Sequence, residues 1–250
     1  MSGHSKWASI KRKKAKTDAV RGRLFSRLTR EIIVVARDGG GDPDKNARLR
    51  TAIENARSAN LPNDTIERAI KRGTGDLPGV TYESAMYEMY APGGVAVLVE
   101  TLTDNKNRTV SEIRHILSKA GGSLAETGSV GWQFDSRGTL VVEAADADED
   151  ELMMLVLDAG AEDMEPEGDA YFITCPVDDF TSVKDALQEA EITFRDAHIS
   201  QIPKNYIHID TSEQGKVLRL LDSIEEQDDV QNVFTNLDIS EDILETAGEE

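Results

Sequence analysis

The sequence predicts an α+β protein in which an N-terminal three-helix domain precedes two α/β-sandwich-like domains, one ferredoxin-like and inserted into the other. Three observations predict it. Apolar residues recur at helical spacing up to about residue 75, the period turns strand-like beyond Pro78, and residues 137–203 read βαββαβ, the order of the split ferredoxin-like arrangement.

In chain order, the first helix follows from Leu24, Phe25, Leu28, Ile32 and Val35, which recur at three- and four-residue steps. At 100° per residue Arg23, Arg27 and Arg30 fall opposite them, with Arg37 at the edge, so the helix is expected to present an arginine rail away from its core. In "RDGGGDP", Gly39 suits a C′ position, and Asp42-Pro43 suits the cap and first turn of a second helix. That helix packs through Leu49, Ile53 and Ala56 and stops near "NLP"; a third runs from about Asn63 to Arg72 and ends at Gly73. Residues 1–16 form a basic arm with little apolar content, expected to order only on binding an anion.

Past "GTGDLPG", "AMYEMYAPGGVAVLVETL" reads as two strands around a Pro-Gly-Gly turn, "TDNKNRT" as a loop, "VSEIRHILSKAGG" as a helix ending at Gly121, and "GSVGWQFD" as a further strand. The βαββαβ unit follows: "GTLVVEA", "DEDELMMLVLDAG", "AEDMEPE", "AYFITCP", "FTSVKDALQEA" and "TFRDAHISQIP". The helix "EQGKVLRLLDSIEEQ" and the strand "VQNVFTN" then find partners only by returning to the earlier strands. The expected domains are therefore 17–75, 80–136 plus 204–240, and 137–203 as the insertion, with an acidic tail at 241–250.

Charge is distributed as unevenly as structure. The chain carries formal net charge −19; residues 1–75 hold 18 Lys+Arg and 8 Asp+Glu, net +10, and the remaining 10 and 39 leave net −29. A basic segment on so acidic a body is the electrostatic footprint of a polyanion-binding protein, against the plainer reading of a solvated helix face. The longest strongly apolar runs, "EIIVVA" and "VAVLVE", fall far short of the roughly 20 residues of a membrane span. The opening has neither the apolar run of a secretory signal nor the continuation of a transit peptide. Cys175, the only cysteine, fits a reducing cytoplasm and a buried structural thiol.

Catalytic patterns are missing. His4, His115, His198 and His208 show no metal-ligand spacing, so no metal or other cofactor is expected. "GGG" at 39–41 and "GTGDLPG" match no phosphate loop. Counted as a calcium loop from Asp146, the run places Glu151 where glycine is needed and Leu157 where glutamate is needed. Its carboxylates serve the helix dipole instead. No enzyme is indicated. The basic loop "TDNKNRTV" is unusual in its acidic surroundings: Asn107 or Thr109 can cap the following helix, while Asn105, Lys106, Asn107 and Arg108 form a candidate second anion-contact loop.

"GHSKW", "KRKKAKTDAVRGRLFSRLTREI", "GGGDPDKNARLRTAIENARSANLP", "TLTDNKNRT" and "GSVGWQF" together resemble the YebC/PmpR family, which includes the mitochondrial translational activator of cytochrome oxidase subunit one. The resemblance runs along nearly the whole chain and implies a three-domain α+β fold with a helical N-terminal domain. One departure is the first hairpin, where members usually carry two glycines and this chain has Met89 and Ala91; it bears on any close backbone approach to a ligand there. The resemblance implies two jobs: a cytoplasmic DNA-binding transcriptional regulator, or a ribosome-associated translation factor that relieves stalling, for example at proline-rich stretches, through ribosomal RNA. No helix-turn-helix signature is clear, and phosphate contacts carry no sequence information. A basic arm beside a stacking Trp7 suits irregular RNA at least as well as duplex DNA. The expectation is a non-enzymatic nucleic-acid-binding regulator acting through Lys6, Trp7, Lys11, Arg12, Lys13, Lys14, Lys16, Arg21, Arg23, Arg27 and Arg30, with no membrane and no small-molecule substrate. A protein-interaction module built on the ferredoxin-like domain is the third reading.

Overall fold

The computed structural model describes residues 18–239. The expected acidic tail and all of the arm, including Lys6, Trp7, Lys11, Arg12, Lys13, Lys14 and Lys16, lie outside the described residues. The described chain is α+β, with an N-terminal helical region, seven α-helices and two four-stranded antiparallel sheets. The described residues divide into two compact units: Trp132–Tyr206, and 18–131 together with 207–239.

Helices α1 (Asp18–Gly39), α2 (Ala47–Ser58) and α3 (Asn63–Gly73) enclose an apolar core of Leu28, Ile32, Val35, Leu49, Ile53 and Ile66. Leu24, expected in that core, is 42% exposed, while its neighbour Phe25 packs against it. The second helix starts four residues later than Asp42 predicts. Asp42 instead accepts the backbone N–H groups of Lys45 and Asn46 in a turn, and Asn46 is the cap. Asn46 is buried and fully used: its Oδ1 accepts from Leu49 N at 3.1 Å, and its Nδ2 donates to Val35 O at 3.0 Å and Gly40 O at 2.9 Å. One amide therefore fastens the end of α1 to the start of α2. Gly73 lets α3 approach α1 closely; a Cβ there would stand 2.5 Å from Ile33 O.

In the same unit β1 (Glu83–Tyr90) pairs with β2 (Ala96–Thr103) through the expected Pro92-Gly93-Gly94 turn. Helix α4 (Lys106–Ala120) is closed by Gly121 at φ 77°, the left-handed cap that the sequence predicts, and leads to the short strand β3 (Ser123–Leu124). The chain later returns with α7 (Thr211–Glu225) and β8 (Val230–Thr235), completing a sheet of order β3-β1-β2-β8. Strand β2 is interior on both edges and buried along almost its whole length. Met89 is fully buried and Ala91 nearly so, so the departure at this hairpin fills core space.

The other unit contains β4 (Phe134–Glu143), α5 (Glu149–Asp158), β5 (Asp163–Glu167), β6 (Ala170–Cys175), α6 (Phe180–Glu189) and β7 (Asp196–Pro203). Its strand order β5-β6-β4-β7 is the ferredoxin-like one. Asp148 caps α5, accepting from Asp150 N and Glu151 N, which gives the acidic run its role. The strand expected from "GSVGWQFD" does not form separately: Gly131–Gln133 is a 3₁₀ turn, and Phe134 begins the single long strand β4. Cys175 is buried, and burial pushes its thiol up to about 11, too high for a nucleophile at neutral pH.

Candidate nucleic-acid interface

The cations of α1 divide into two groups. Arg21 is exposed and stacks over the Phe25 ring, 5.4 Å from its centroid. Arg23, Arg27 and Arg30, expected to point away from the core, are half-buried and face the C-terminal end of α7. The guanidinium of Arg27 donates to Glu225 O and that of Arg30 to Asp228 O, while Arg23 lies 3.7 Å from the Glu226 carboxylate. The reason is physical. A helix ends with carbonyls that lack intrahelical partners and with a partial negative charge, yet α7 has no basic residue in its last turn. The sequence there, "SIEEQDD", adds four carboxylates. Helix α1 supplies the missing cations from almost two hundred residues away. Burial lowers the Arg27 pKa, with Glu225 opposing and the neighbouring Arg23 and Arg30 adding to the shift.

Asp229 is the centre of this junction. It is 3% exposed, and its Oδ2 accepts from Thr103 Oγ1 at 2.9 Å, Arg108 Nη2 at 2.8 Å and Thr109 Oγ1 at 2.8 Å. Its Oδ1 lies 3.3 Å from Arg30 Nη1, and its carbonyl accepts from Leu102 N at 2.9 Å. Burial alone would push this carboxyl up; the hydrogen bonds from Arg108, Thr109 and Thr103 outweigh it and hold the group below the ordinary carboxylate range.

The loop "TDNKNRTV" is thereby accounted for residue by residue. Its helical part starts earlier than expected, at Lys106, and the cap is Asn105, whose side chain accepts from Arg108 N at 3.1 Å, in place of Asn107 or Thr109. Thr103 and Thr109 hold Asp229. Arg108 bridges Asp104 and Asp229, both within 2.8 Å, which raises its pKa further through those hydrogen bonds. Lys106 pairs with Glu83 at 2.6 Å. Both cations of the candidate second contact loop thus already have carboxylate partners; Asn107 is exposed.

Beside these groups lies a cleft of about 480 Å³. Arg30 and Arg108 are its only cationic lining residues, against the carboxylates of Asp104, Glu112, Glu226, Asp228 and Asp229. Its field repels phosphate. Exposed cations on the helical region lie elsewhere, at Arg48, Arg57, Arg68, Lys71 and Arg72.

Sequence reasoning also missed Glu88. Its buried carboxylate accepts from the backbone N–H groups of Gly128, Val130 and Gly131 at 2.6, 2.6 and 2.8 Å. Burial pushes this carboxyl up, but the three backbone donors prevail and its pKa is lowered. "GSVG" is therefore a loop wrapped around a carboxylate, and a glutamate alternating within a half-buried strand was the signal available for it. Among the described residues, no group of three or more His, Cys, Asp or Glu is arranged to hold a metal ion, and no helix is long and apolar enough to cross a membrane.

With this geometry in place, comparison with known proteins is informative. Residues 5–76 match the family model described as the TACO1/YebC protein N-terminal domain, and residues 82–237 match that of the TACO1/YebC second and third domain. Proteins named "probable transcriptional regulatory protein" from Chlorobaculum parvum, Chlorobaculum tepidum and Halothermothrix orenii are 52%, 53% and 53% identical, each alignment covering 100% of both chains. The crystal structure of a conserved hypothetical protein from Aquifex aeolicus has a TM-score of 0.86 and 46% identity, covering 92% of this chain and 96% of that one. Two domain models that together span most of the chain, full-length relatives at about half identity and a shared fold establish that this chain belongs to the TACO1/YebC family.

Proposed function

We propose that this protein is a non-enzymatic, cytoplasmic regulator of gene expression that binds nucleic acid through its basic N-terminal arm. The observation that carries this reading is the charge division, net +10 over residues 1–75 and −29 beyond, with six of the cations packed into residues 6–16. Names given to relatives as probable transcriptional regulators agree with a regulatory role. Lys6, Lys11, Arg12, Lys13, Lys14 and Lys16 neutralise phosphates, Trp7 stacks on a base, and the exposed Arg21 continues the basic track onto α1. Arg23, Arg27 and Arg30 take a different part: engaged with the end of α7, they brace the helix that carries the arm.

A ribosome-associated translation factor acting on ribosomal RNA is the second reading. Trp7 within the basic run favours it, because a stacking side chain among cations suits unpaired bases. The test is crosslinking in living cells followed by sequencing of both DNA and RNA bound to the protein, with a Lys11→Ala/Arg12→Ala/Lys13→Ala/Lys14→Ala variant alongside. Discrete promoter DNA lost in the variant establishes a transcriptional regulator; dominant ribosomal RNA lost in the variant establishes a translation factor. Recovery of neither polymer above background refutes nucleic-acid binding and leaves the protein-interaction module. In solution, neutralising about six phosphates gives a log–log salt slope near −5 on duplex DNA and near −4 on single strands.

A further inference from the structure

A second set of cations lies in the acidic part of the chain. On α4, His115 and Lys119 are four residues apart; on α7, Lys216 and Arg219 are three apart, so each pair shares one face of its helix. The four exposed side chains rim a groove of about 460 Å³ between the two helices, floored by Ile116 and the buried Leu220. No carboxylate lines it. Glu112, the sole acid on α4, lines the other cleft. Among the described residues, none of Lys119, Lys216 and Arg219 has a carboxylate within ion-pair distance, although residues 76–250 carry net charge −29. Every cation at the Asp229 junction, by contrast, is paired.

We infer that this α4–α7 groove is a second binding site for single-stranded nucleic acid, with phosphates on Lys119, Lys216 and Arg219 and a sugar or base against the apolar floor. Three arguments select this occupant. Unpaired cations in a strongly anionic body match a polyanion in charge. Lys216 and Arg219 stand about one helical turn apart, roughly 5 Å along the axis, comparable to the spacing of neighbouring phosphates on a strand. An apolar floor between cationic rims suits a nucleotide whose base is out of its stack, which a duplex does not present. The site rests on the nucleic-acid reading proposed above and adds a contact remote in sequence from the arm.

The test uses the full chain and a fluorescent twelve-nucleotide oligouridylate, titrated at several salt concentrations. The parent protein is compared with Lys119→Gln/Lys216→Gln/Arg219→Gln and with the arm variant. Removing three phosphate contacts is expected to weaken binding about tenfold or more at low salt and to reduce the magnitude of the log–log slope by about 2. Oligouridylate carrying 4-thiouridine is expected to crosslink to residues 114–120 and 216–223. Affinity and slope equal to the parent's in the groove variant, with the arm variant impaired, overturn the groove while leaving the arm in place. Displacement of the oligonucleotide by an oligoglutamate of equal charge as effectively as by unlabelled oligouridylate also overturns it, because the groove would then be an unselective cation patch. Absence of binding by the parent itself sinks the nucleic-acid reading and the groove with it. Thermal unfolding midpoints of parent and variant should agree, since all three substituted side chains are exposed.

Discussion

Arg23, Arg27 and Arg30 on α1, and Lys119, Lys216 and Arg219 on α4 and α7, are cations of the same compact unit put to opposite uses. The first set is half-buried against the carbonyls and carboxylates that end α7; the second is exposed, and no carboxylate lines its groove. The difference teaches that cation density marks a binding surface only after internal partners are subtracted. The arginine rail is the denser cluster in the sequence and is consumed by the fold. The sparser groove keeps its charge for something outside.

The sharpest way to break this comparison is to remove the acid at the centre of the paired set. Asp229→Ala takes one acceptor from Arg30, Arg108 and two buried hydroxyls and is expected to destabilise this unit by about 3–5 kcal/mol, measured by urea unfolding. Asp229→Asn keeps an acceptor and should cost less. An unchanged urea midpoint in Asp229→Ala would show that the junction is ornamental. Arg27→Ala removes a hydrogen bond to the α7 terminus and its half-buried packing; a loss of about 2 kcal/mol is expected, with faster amide exchange in the last turn of α7.

Glu88→Gln tests the other buried carboxylate. Replacing a charged acceptor by a neutral one for three backbone donors should cost about 2 kcal/mol and speed amide exchange at Gly128, Val130 and Gly131. Both carboxyls also make stability pH-dependent. Each is held below its unfolded-state value, so its contribution is complete above about pH 5, starts to fall as pH drops through the unfolded-state value and is lost as pH falls through the folded-state value. Acid titration of unfolding should therefore show a decline below about pH 5 that Asp229→Asn flattens. The smallest effect on stability is expected at the groove. Lys119→Ala and Arg219→Ala should each change it by no more than about 0.5 kcal/mol, and a larger loss would mean that these cations, too, have internal work.

Much of the fold was legible from local pattern. Periodicity located the seven helices of the described residues, the Pro-Gly-Gly hairpin and the βαββαβ order, because each depends on neighbours within one or two turns. Boundaries failed where a longer-range partner decided them. Asn46 caps α2 because Val35 and Gly40 stand within reach of its amide; Phe134 joins β4 because β7 offers a pairing edge as far as Pro203. At the candidate site, the basic arm was legible as composition, whereas the occupants of the arginine rail were not.

By itself, the sequence determined that the chain is α+β and that its basic charge is gathered at one end, which follow from spacing and composition; its motifs, along nearly the whole chain, carry the resemblance to the YebC/PmpR family. Only the tertiary structure decided which cations are spent. Asp229 and Arg30 are separated along the chain by about two hundred residues, and no periodicity links a helix terminus to the side chains that neutralise it from another helix. Folding brings them together because a helix end carrying four added carboxylates requires cations that its own last turn lacks.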